Sequence, residues 1–408
     1  MGREYVIIGD GIAGATAAEE IRENDPSGEI TIVTDEPVPL YNRVATKDLA
    51  KGDKDREDLM MHDREFYEKH DIDLRTNTRV TEIRDAERRV VCHDGSRYSF
   101  DKLLVASGGT PRRLPVPNSD AEGIHTFWTL DDADRLKKVA KDADDAVVIG
   151  AGLLGIDQAV IFGKHGANTR YLMRGNRWWR QGISKEGSEV VEKGLAEFGV
   201  ECIFHEEVEQ FDTQEGRVTE CVGSSGKTYP CDAAGVAIGL HYNHEFLRGS
   251  RVKIGEGILT DEYMRTSVED IYAAGDIAQY YDVVLDRVNQ NGSWASAKEQ
   301  GAVAGRNMTK DEDEDLEEFE LVDTYSINHF DFFIMSVGSV LGDKKIDRVY
   351  DDGNYRRVIF FRDRPVGAVF VGDVTQAGII RKIIGQKKDF SGREELLLEE
   401  EVDPTLLQ

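Results

Sequence analysis

The chain has 408 residues, with 78 acidic and 51 basic side chains and a formal charge of −27. That excess argues against nucleic acid as a partner, because binding it needs a basic footprint that neutralises phosphates, and against anionic lipid surfaces. With 40% hydrophobic residues the chain is too apolar for disorder, so a folded, soluble protein of two or three domains is expected. The basic residues divide into 31 Arg and 20 Lys. The bias resembles adaptation to a salt-rich cytoplasm, where salt screens repulsion between carboxylates; an ordinary acidic enzyme is the alternative.

Cys92, Cys202, Cys221 and Cys231 form no CxxC pair and no zinc spacing. They read as scattered cytosolic thiols. The opening segment MGREYVIIGDGIAG has no cationic region followed by an apolar one and so does not read as a signal peptide, no apolar run reaches the ~20 residues of a membrane span, and Val6 stands where a myristoylation signal wants Ser or Thr. A cytoplasmic location is expected.

Along the chain, Tyr5-Val6-Ile7-Ile8 is a short apolar run ending abruptly in glycine, as a buried parallel strand does. Gly9-Asp10-Gly11-Ile12-Ala13-Gly14 follows, then a helix over Ala15 to Arg22, a turn at Pro26-Ser27-Gly28 and a strand from Glu29 to Val33. A GxGxxG in this strand–turn–helix–strand setting is a dinucleotide fingerprint. Gly9 makes the tight turn, Gly11 lets a pyrophosphate approach the backbone, and Gly14 lets helix and strand pack. An acid is wanted about 20 residues on for a ribose hydroxyl, and Asp35 and Glu36 stand there.

The same grammar returns where Ala146-Val147-Val148-Ile149 runs into Gly150-Ala151-Gly152-Leu153-Leu154-Gly155, a helix to about His165 and a strand from Thr169 to Met173. Two such units suggest two dinucleotides held in one chain. Between them, Thr110 to Pro117 carries three of the nine prolines and reads as a link. Beyond the acidic run Lys310 to Glu320, Arg356–Phe361 and Gly367–Gly372 alternate as antiparallel strands of a smaller α+β domain, closed by a helix over 375–385 and a charged tail.

With Ala106-Ser107-Gly108-Gly109-Thr110-Pro111-Arg112 after the strand Leu103 to Val105, and Thr266-Ser267-Val268-Glu269-Asp270-Ile271-Tyr272-Ala273-Ala274-Gly275-Asp276 further on, the sequence resembles the two-dinucleotide-binding flavoprotein reductases. It is most similar to ferredoxin and rubredoxin reductases and to the flavoprotein part of NAD(P)H-dependent nitrite reductase. The resemblance implies an α/β fold with two Rossmann-like domains, for FAD and NAD(P), of the glutathione-reductase type, plus the C-terminal α+β domain. Its implied boundaries are 1–114 and 239–315 for a discontinuous FAD domain, 115–238 for the NAD(P) domain and 316–408 for the last. FAD is implied on Gly9, Gly11, Gly14, Asp35, Glu36, Ala106, Ser107 and Gly108, with Asp276 on the ribityl chain.

Asp35 to Arg43 looks like the reductase segment in which an Arg and then a Lys line the flavin, here Arg43 and Lys47. Lys47 stands one residue closer to the Arg than in the usual pattern. A fixed ammonium beside flavin N5 stabilises arriving electron density. The family pairs this Lys with an acid just after the second fingerprint; Asp157 stands there, where Glu is usual, and a surface lysine with an unrelated aspartate is the alternative. No cysteine occurs in Pro39 to Lys51, so thiol–flavin relays and sulfenic acid cycles are excluded, and electrons must leave the flavin directly.

The second fingerprint, Gly150, Gly152 and Gly155, should take the nicotinamide nucleotide. NAD sites put an acid at the end of the second strand, but Met173 is there, followed by Arg174, Arg177 and Arg180. The run is similar to NADPH-using members, in which arginines at the places of Arg174 and Arg180 grip the 2′-phosphate, so NADPH is favoured. Asn289 to Trp294 lead into a helical stretch from Ala295 to Met308 whose N-terminus the family points at the flavin's pyrimidine edge; Trp294 either shields that edge or belongs to the core. His329-Phe330-Asp331-Phe332-Phe333 could present an aromatic to the flavin or an acceptor, though such spacing is more often core. No His has metal spacing, and no metal is expected.

The implied activity is FAD-dependent oxidation of NAD(P)H with electrons passed to a small iron–sulfur or rubredoxin-like protein. The alternatives are the flavoprotein component of a nitrite reductase system and a non-catalytic FAD/NAD(P)H sensor. A homodimer is left open. An acidic ferredoxin would be repelled by this acidic surface, so high salt, a local basic patch or another acceptor has to reconcile the two.

Overall fold

The computed structural model describes residues 2–311, 315–328 and 333–407. The chain divides into two compact units, one of residues 1–42, 59–110 and 241–323 and one of residues 43–58, 111–240 and 324–408.

The core of the first unit is a five-stranded parallel sheet in the order Ile271–Ala273, Lys102–Val105, Glu4–Ile8, Glu29–Val33, Ile72–Arg75. Central strands covered on both faces must be apolar throughout, and Tyr5, Val6, Ile7 and Ile8 are all buried. One face carries the helices Ile12–Asn24 and Trp294–Thr309, packed so closely that a Cβ at Gly301 would run into the Ala13 backbone. A three-stranded antiparallel meander, Val80–Arg84, Arg89–Cys92 and Arg97–Ser99, packs on the other face through Val80, Ile83, Val90 and Cys92.

In the second unit, a parallel sheet runs in the order Val200–Phe204, Asn168–Met173, Asp145–Ile149, Ala233–Val236, Ile124–Thr126. It has its own meander, Val208–Gln214, Arg217–Gly223 and Thr228–Pro230, buried through Phe211, Val218, Cys221 and Tyr229. The short helix Thr46–Lys51 packs on the helix Leu153–Lys164.

The same unit holds a five-stranded antiparallel sheet in the order Thr324–Ile327, Phe333–Gly338, Arg364–Gly372, Tyr355–Phe361, Lys344–Val349. The helix Ala377–Gly385 covers it, burying Ala377, Ile380, Ile383 and Ile384. Neither meander was expected from the sequence, because their strands present only alternate apolar residues among Glu, Thr and Arg.

Candidate dinucleotide sites

In the first unit, the strand Glu4–Ile8 ends at Gly9, whose φ of +105° is open to glycine alone at low cost, and a Cβ there would collide with the Ala106 carbonyl. A Cβ on Gly14 would strike the Gly9 carbonyl oxygen, which is why helix and turn sit so close. Gly11 is different. It is the N-cap of the helix Ile12–Asn24 in extended conformation, and a Cβ on it would have no described heavy atom within 4 Å. The helix thus begins on an open face, with no side-chain cap on its first N–H groups and no acid in its first turn. This suits an anion.

Around that turn lie the other residues the sequence nominated. Asp35 is exposed just beyond Val33, and the Glu36 carboxylate accepts from the Tyr41 hydroxyl at 3.2 Å to each oxygen. Ser107 Oγ donates to the Asn243 carbonyl at 3.0 Å, Ala106 is buried at the sheet end, and Gly108 has φ +59°. The Gly275 N–H donates to Gln300 Oε1 at 2.8 Å and Gln290 Nε2 donates to the Asp276 carbonyl at 2.9 Å, which fixes Asp276 by the start of the helix Trp294–Thr309. Ser293 caps that helix by accepting from Ser296 N–H, and its own hydroxyl donates to Asp323 at 2.6 Å. Trp294 is half-buried and packs on the first unit's core.

One residue that sequence reasoning passed over is Asp10, inside the fingerprint. Its carboxylate is 7% exposed and accepts the Tyr67 hydroxyl at 3.0 and 2.9 Å. Burial pushes its pKa up to about 7, and Glu36 adds to the shift, against hydrogen bonds from Tyr67 and the Leu40 backbone that favour the carboxylate. Tyr67 lies 57 positions away, so no local pattern announces the pair.

In the second unit the turn repeats. Gly150 has φ +132° and faces the Ala237 carbonyl, while Gly152 is the extended, open N-cap of the helix Leu153–Lys164. Gly155 is packed against the Tyr171 hydroxyl, which donates to the Gly152 carbonyl at 3.3 Å. Past Met173, the side chains of Arg174 and Arg180 are exposed, with no hydrogen bond or ion pair among the described residues. Arg177, grouped with them by the sequence, instead holds the loop: it donates from Nε to the Ile183 carbonyl at 3.0 Å and from a terminal nitrogen to the Arg180 carbonyl at 3.1 Å. Glu206 sits beside this strand end, with its N–H on the Met173 carbonyl at 3.1 Å. Its carboxylate is taken by Ser224, Ser225 and Tyr229, and although burial works to raise its pKa, these bonds hold it at about 2.

Lys47 and Asp157, also in this unit, lie on the packed helices Thr46–Lys51 and Leu153–Lys164 and are only 7% and 4% exposed. Charges buried to this extent require compensation by partners. Arg43 precedes them, donating to the Trp128 carbonyl at 3.0 Å and lying over its ring. Tyr325 was missed at the sequence level; its phenol is held well above the ordinary range by burial, with the Asp157 carboxylate contributing. Burial likewise pushes Cys202 and Cys221 up to about 12 and raises Cys92 and Cys231, so all four remain thiols near neutrality.

Residues 3–301 match the family described as pyridine nucleotide-disulphide oxidoreductase, and residues 325–388 match the rubredoxin NAD+ reductase C-terminal domain. The chain belongs to the pyridine nucleotide-disulphide oxidoreductase family. Its members bind FAD and NAD(P)H, and the residues above fit such groups: two capless helix starts, each with an open glycine, and an acid past the first strand pair. The chain is 27% identical over 393 residues to nitrite reductase [NAD(P)H] from Bacillus subtilis, covering 95% of this chain and 48% of that protein. It is 25% identical over 391 residues to NADH-rubredoxin oxidoreductase from Clostridium acetobutylicum, covering 95% and 96%. The structure superposes on putidaredoxin reductase, solved in covalent complex with putidaredoxin, with a TM-score of 0.90 and 25% identity over 99% of this chain and 98% of that one. A ferredoxin reductase from Rhodopseudomonas palustris, at 23% identity and a TM-score of 0.91 over 99% of both chains, shares the fold. The chain spans about half the length of the Bacillus subtilis relatives it matches.

Among the described residues no helix is long and apolar enough to cross a membrane, and no group of three or more His, Cys, Asp or Glu could hold a metal. The segment His329-Phe330-Asp331-Phe332 lies outside the described residues.

Proposed function

We propose that this protein is an FAD-dependent NAD(P)H oxidoreductase that passes electrons to a small iron–sulfur or rubredoxin-type protein without a redox-active disulfide. One observation carries the reading: the open fingerprint turn occurs twice, in a chain with no cysteine beside Arg43 and Lys47 and with all four of its thiols held protonated elsewhere. FAD, when bound, supplies a ring that takes two electrons as hydride and releases them one at a time.

The chain's own residues do the rest. The N–H groups that open the helix Ile12–Asn24 take the FAD pyrophosphate, Asp35 or Glu36 accepts from its ribose, and Ala106, Ser107, Gly108 and Asp276 line its remainder. Lys47 is the catalytic cation, a fixed ammonium in a dry setting that favours negative charge arriving next to it, and Asp157 balances and orients it. In the second fold the start of the helix Leu153–Lys164 takes the nicotinamide dinucleotide. Arg174 and Arg180 grip a 2′-phosphate, which selects NADPH; support comes from their exposed guanidinium groups and from Glu206, whose carboxylate is already fully engaged.

Anaerobic mixing with NADPH and with NADH is the test. Rapid loss of the visible flavin band, followed by turnover with a rubredoxin or [2Fe–2S] ferredoxin, is the expected result. Slow loss with a lasting charge-transfer band would replace the enzyme by a sensor. The second reading, a flavoprotein component of a nitrite-reducing system, is favoured by the similarity to the Bacillus subtilis nitrite reductase over 95% of this chain. It predicts that the reduced protein supports nitrite reduction only when an iron–sulfur and sirohaem partner is added.

A further inference from the structure

The loop that follows Met173 is not free-standing. Its Trp179 backbone N–H donates to the Ala151 carbonyl, inside the second fingerprint, at 3.0 Å, and the backbone N–H of the fully buried Trp178 donates to Ser188 Oγ at 2.9 Å. On its far side the antiparallel sheet takes hold of it. Lys345 Nζ donates to the Gln181 carbonyl at 2.7 Å, next to the Arg180 carbonyl that Arg177 already holds. The Ser184 N–H donates to the Tyr355 hydroxyl oxygen at 3.0 Å, while Ser184 Oγ caps the helix Lys185–Glu197 by accepting from Gly187 N–H. Gly187 lies so flat on the Tyr355 ring that a Cβ would come within 2.7 Å of it.

Two cations from separate elements, Arg177 and Lys345, therefore hold the carbonyls of Arg180, Gln181 and Ile183. Their closeness is felt: burial lowers the Lys345 pKa, and Arg357 and Arg177 lower it further. Arg357 is neutralised by Asp347 at 2.7 Å; Lys345 has no carboxylate partner among the described residues. With backbone oxygens taken by these two cations, the Arg180 side chain is left exposed.

We propose that Lys345 and Tyr355 of the C-terminal sheet are positioning residues for the nucleotide loop, so that the grip on the 2′-phosphate is set partly by a domain that carries no fingerprint of its own. The inference rests on the NADPH reading and deepens it: the ligand class is a 2′-phosphorylated adenosine, and the selectivity extends to the segment 344–357.

The experiment compares binding of 2′,5′-ADP and 5′-AMP to the flavin-loaded protein by calorimetry, for the wild type and for Arg180→Ala, Lys345→Met, Lys345→Arg and Tyr355→Phe. Hydrogen exchange of residues 177–184 and steady-state KM and kcat with NADPH and NADH are measured alongside. Lys345→Met should weaken 2′,5′-ADP about five- to tenfold, comparable to losing one charge-assisted contact, and raise KM for NADPH with kcat unchanged. 5′-AMP and NADH should change less than about twofold, and Lys345→Arg should restore most of the loss. Amides of Gln181 to Ser184 should exchange faster, while those of Asn168 to Met173 do not. If Arg180→Ala loses discrimination but Lys345→Met and Tyr355→Phe keep it and leave exchange unchanged, the positioning role is overturned and the NADPH reading stands. If the wild type binds both nucleotides equally, the NADPH reading itself fails. An equal loss for both nucleotides in Lys345→Met would overturn positioning in favour of a general packing role.

Discussion

The two parallel sheets are built from the same plan and differ where a ligand would be told apart. Each has a central strand ending in a positive-φ glycine, a capless helix start with an open second glycine, and a meander just before the strand that flanks the central one on its other side, Lys102–Val105 or Ala233–Val236. At the end of the second strand they diverge: the first unit offers Asp35 and Glu36, the second Met173, Arg174 and the braced loop beyond it. The shared part is what any dinucleotide demands of a backbone. On the proposed reading the divergent part answers to the hydroxyl or phosphate on one ribose, and there side chains of opposite charge stand in equivalent places.

The strongest way to break this comparison is to damage one turn at a time. Gly9→Ala should yield flavin-free protein, with FAD affinity falling by at least about 100-fold, given the positive φ and the clash with Ala106. Gly150→Ala should leave the protein yellow but slow its reduction by NAD(P)H as severely. Flavin content and stopped-flow reduction check both; equal loss of flavin in the two variants would refute the division of labour. Next, Lys47→Met should retain FAD yet slow reduction about 10²–10³-fold, the scale of losing one preorganised charge, with Asp157→Asn showing a smaller loss.

Arg174→Ala should raise KM for NADPH about tenfold and leave NADH unchanged, which single-substrate kinetics will read. The smallest effect concerns Asp10. Its folded pKa of about 7 lies above the ordinary 3.8, so the folded chain holds a proton that the unfolded chain has released, and stability falls as pH rises between those values. Asp10→Asn should flatten that slope and stabilise the flavin-free protein above pH 7 by on the order of 1–3 kcal/mol. Urea unfolding at pH 5 and pH 8 measures it, and a wild-type protein more stable at pH 8 would contradict the assignment.

The parallel strands, both fingerprint turns and the C-terminal strands were legible because each rests on a local signal, an apolar run or a glycine at fixed spacing, although Tyr355–Phe361 and Arg364–Gly372 are buried almost throughout and not on alternate residues as expected. The strand Glu29–Val33 and the helix following Ser293 fall within a residue of expectation. The meanders were not legible, since strands such as Val208–Gln214 expose most of their side chains and keep one apolar contact in several. Within the sites, the glycines and arginines could be read in sequence, but Tyr67 beside Asp10, Tyr325 near Asp157 and Lys345 under the loop could not. Each is delivered by chain that lies 57 or more positions away, and only the folded backbone supplies that address.

The fifth strands of the two sheets come from opposite directions along the chain. The second sheet takes Ile124–Thr126, made before its other strands, and so has all five once residue 236 has emerged. The first sheet must wait for Ile271–Ala273, and its helix Trp294–Thr309 comes later still. At roughly 5–20 residues per second, the stretch from residue 236 to residue 273 leaves the first sheet one strand short for about 2–7 seconds after the second can close. During synthesis the parallel sheet with the later fingerprint is complete first, and the edge of Lys102–Val105 is the strand most in need of a chaperone's cover.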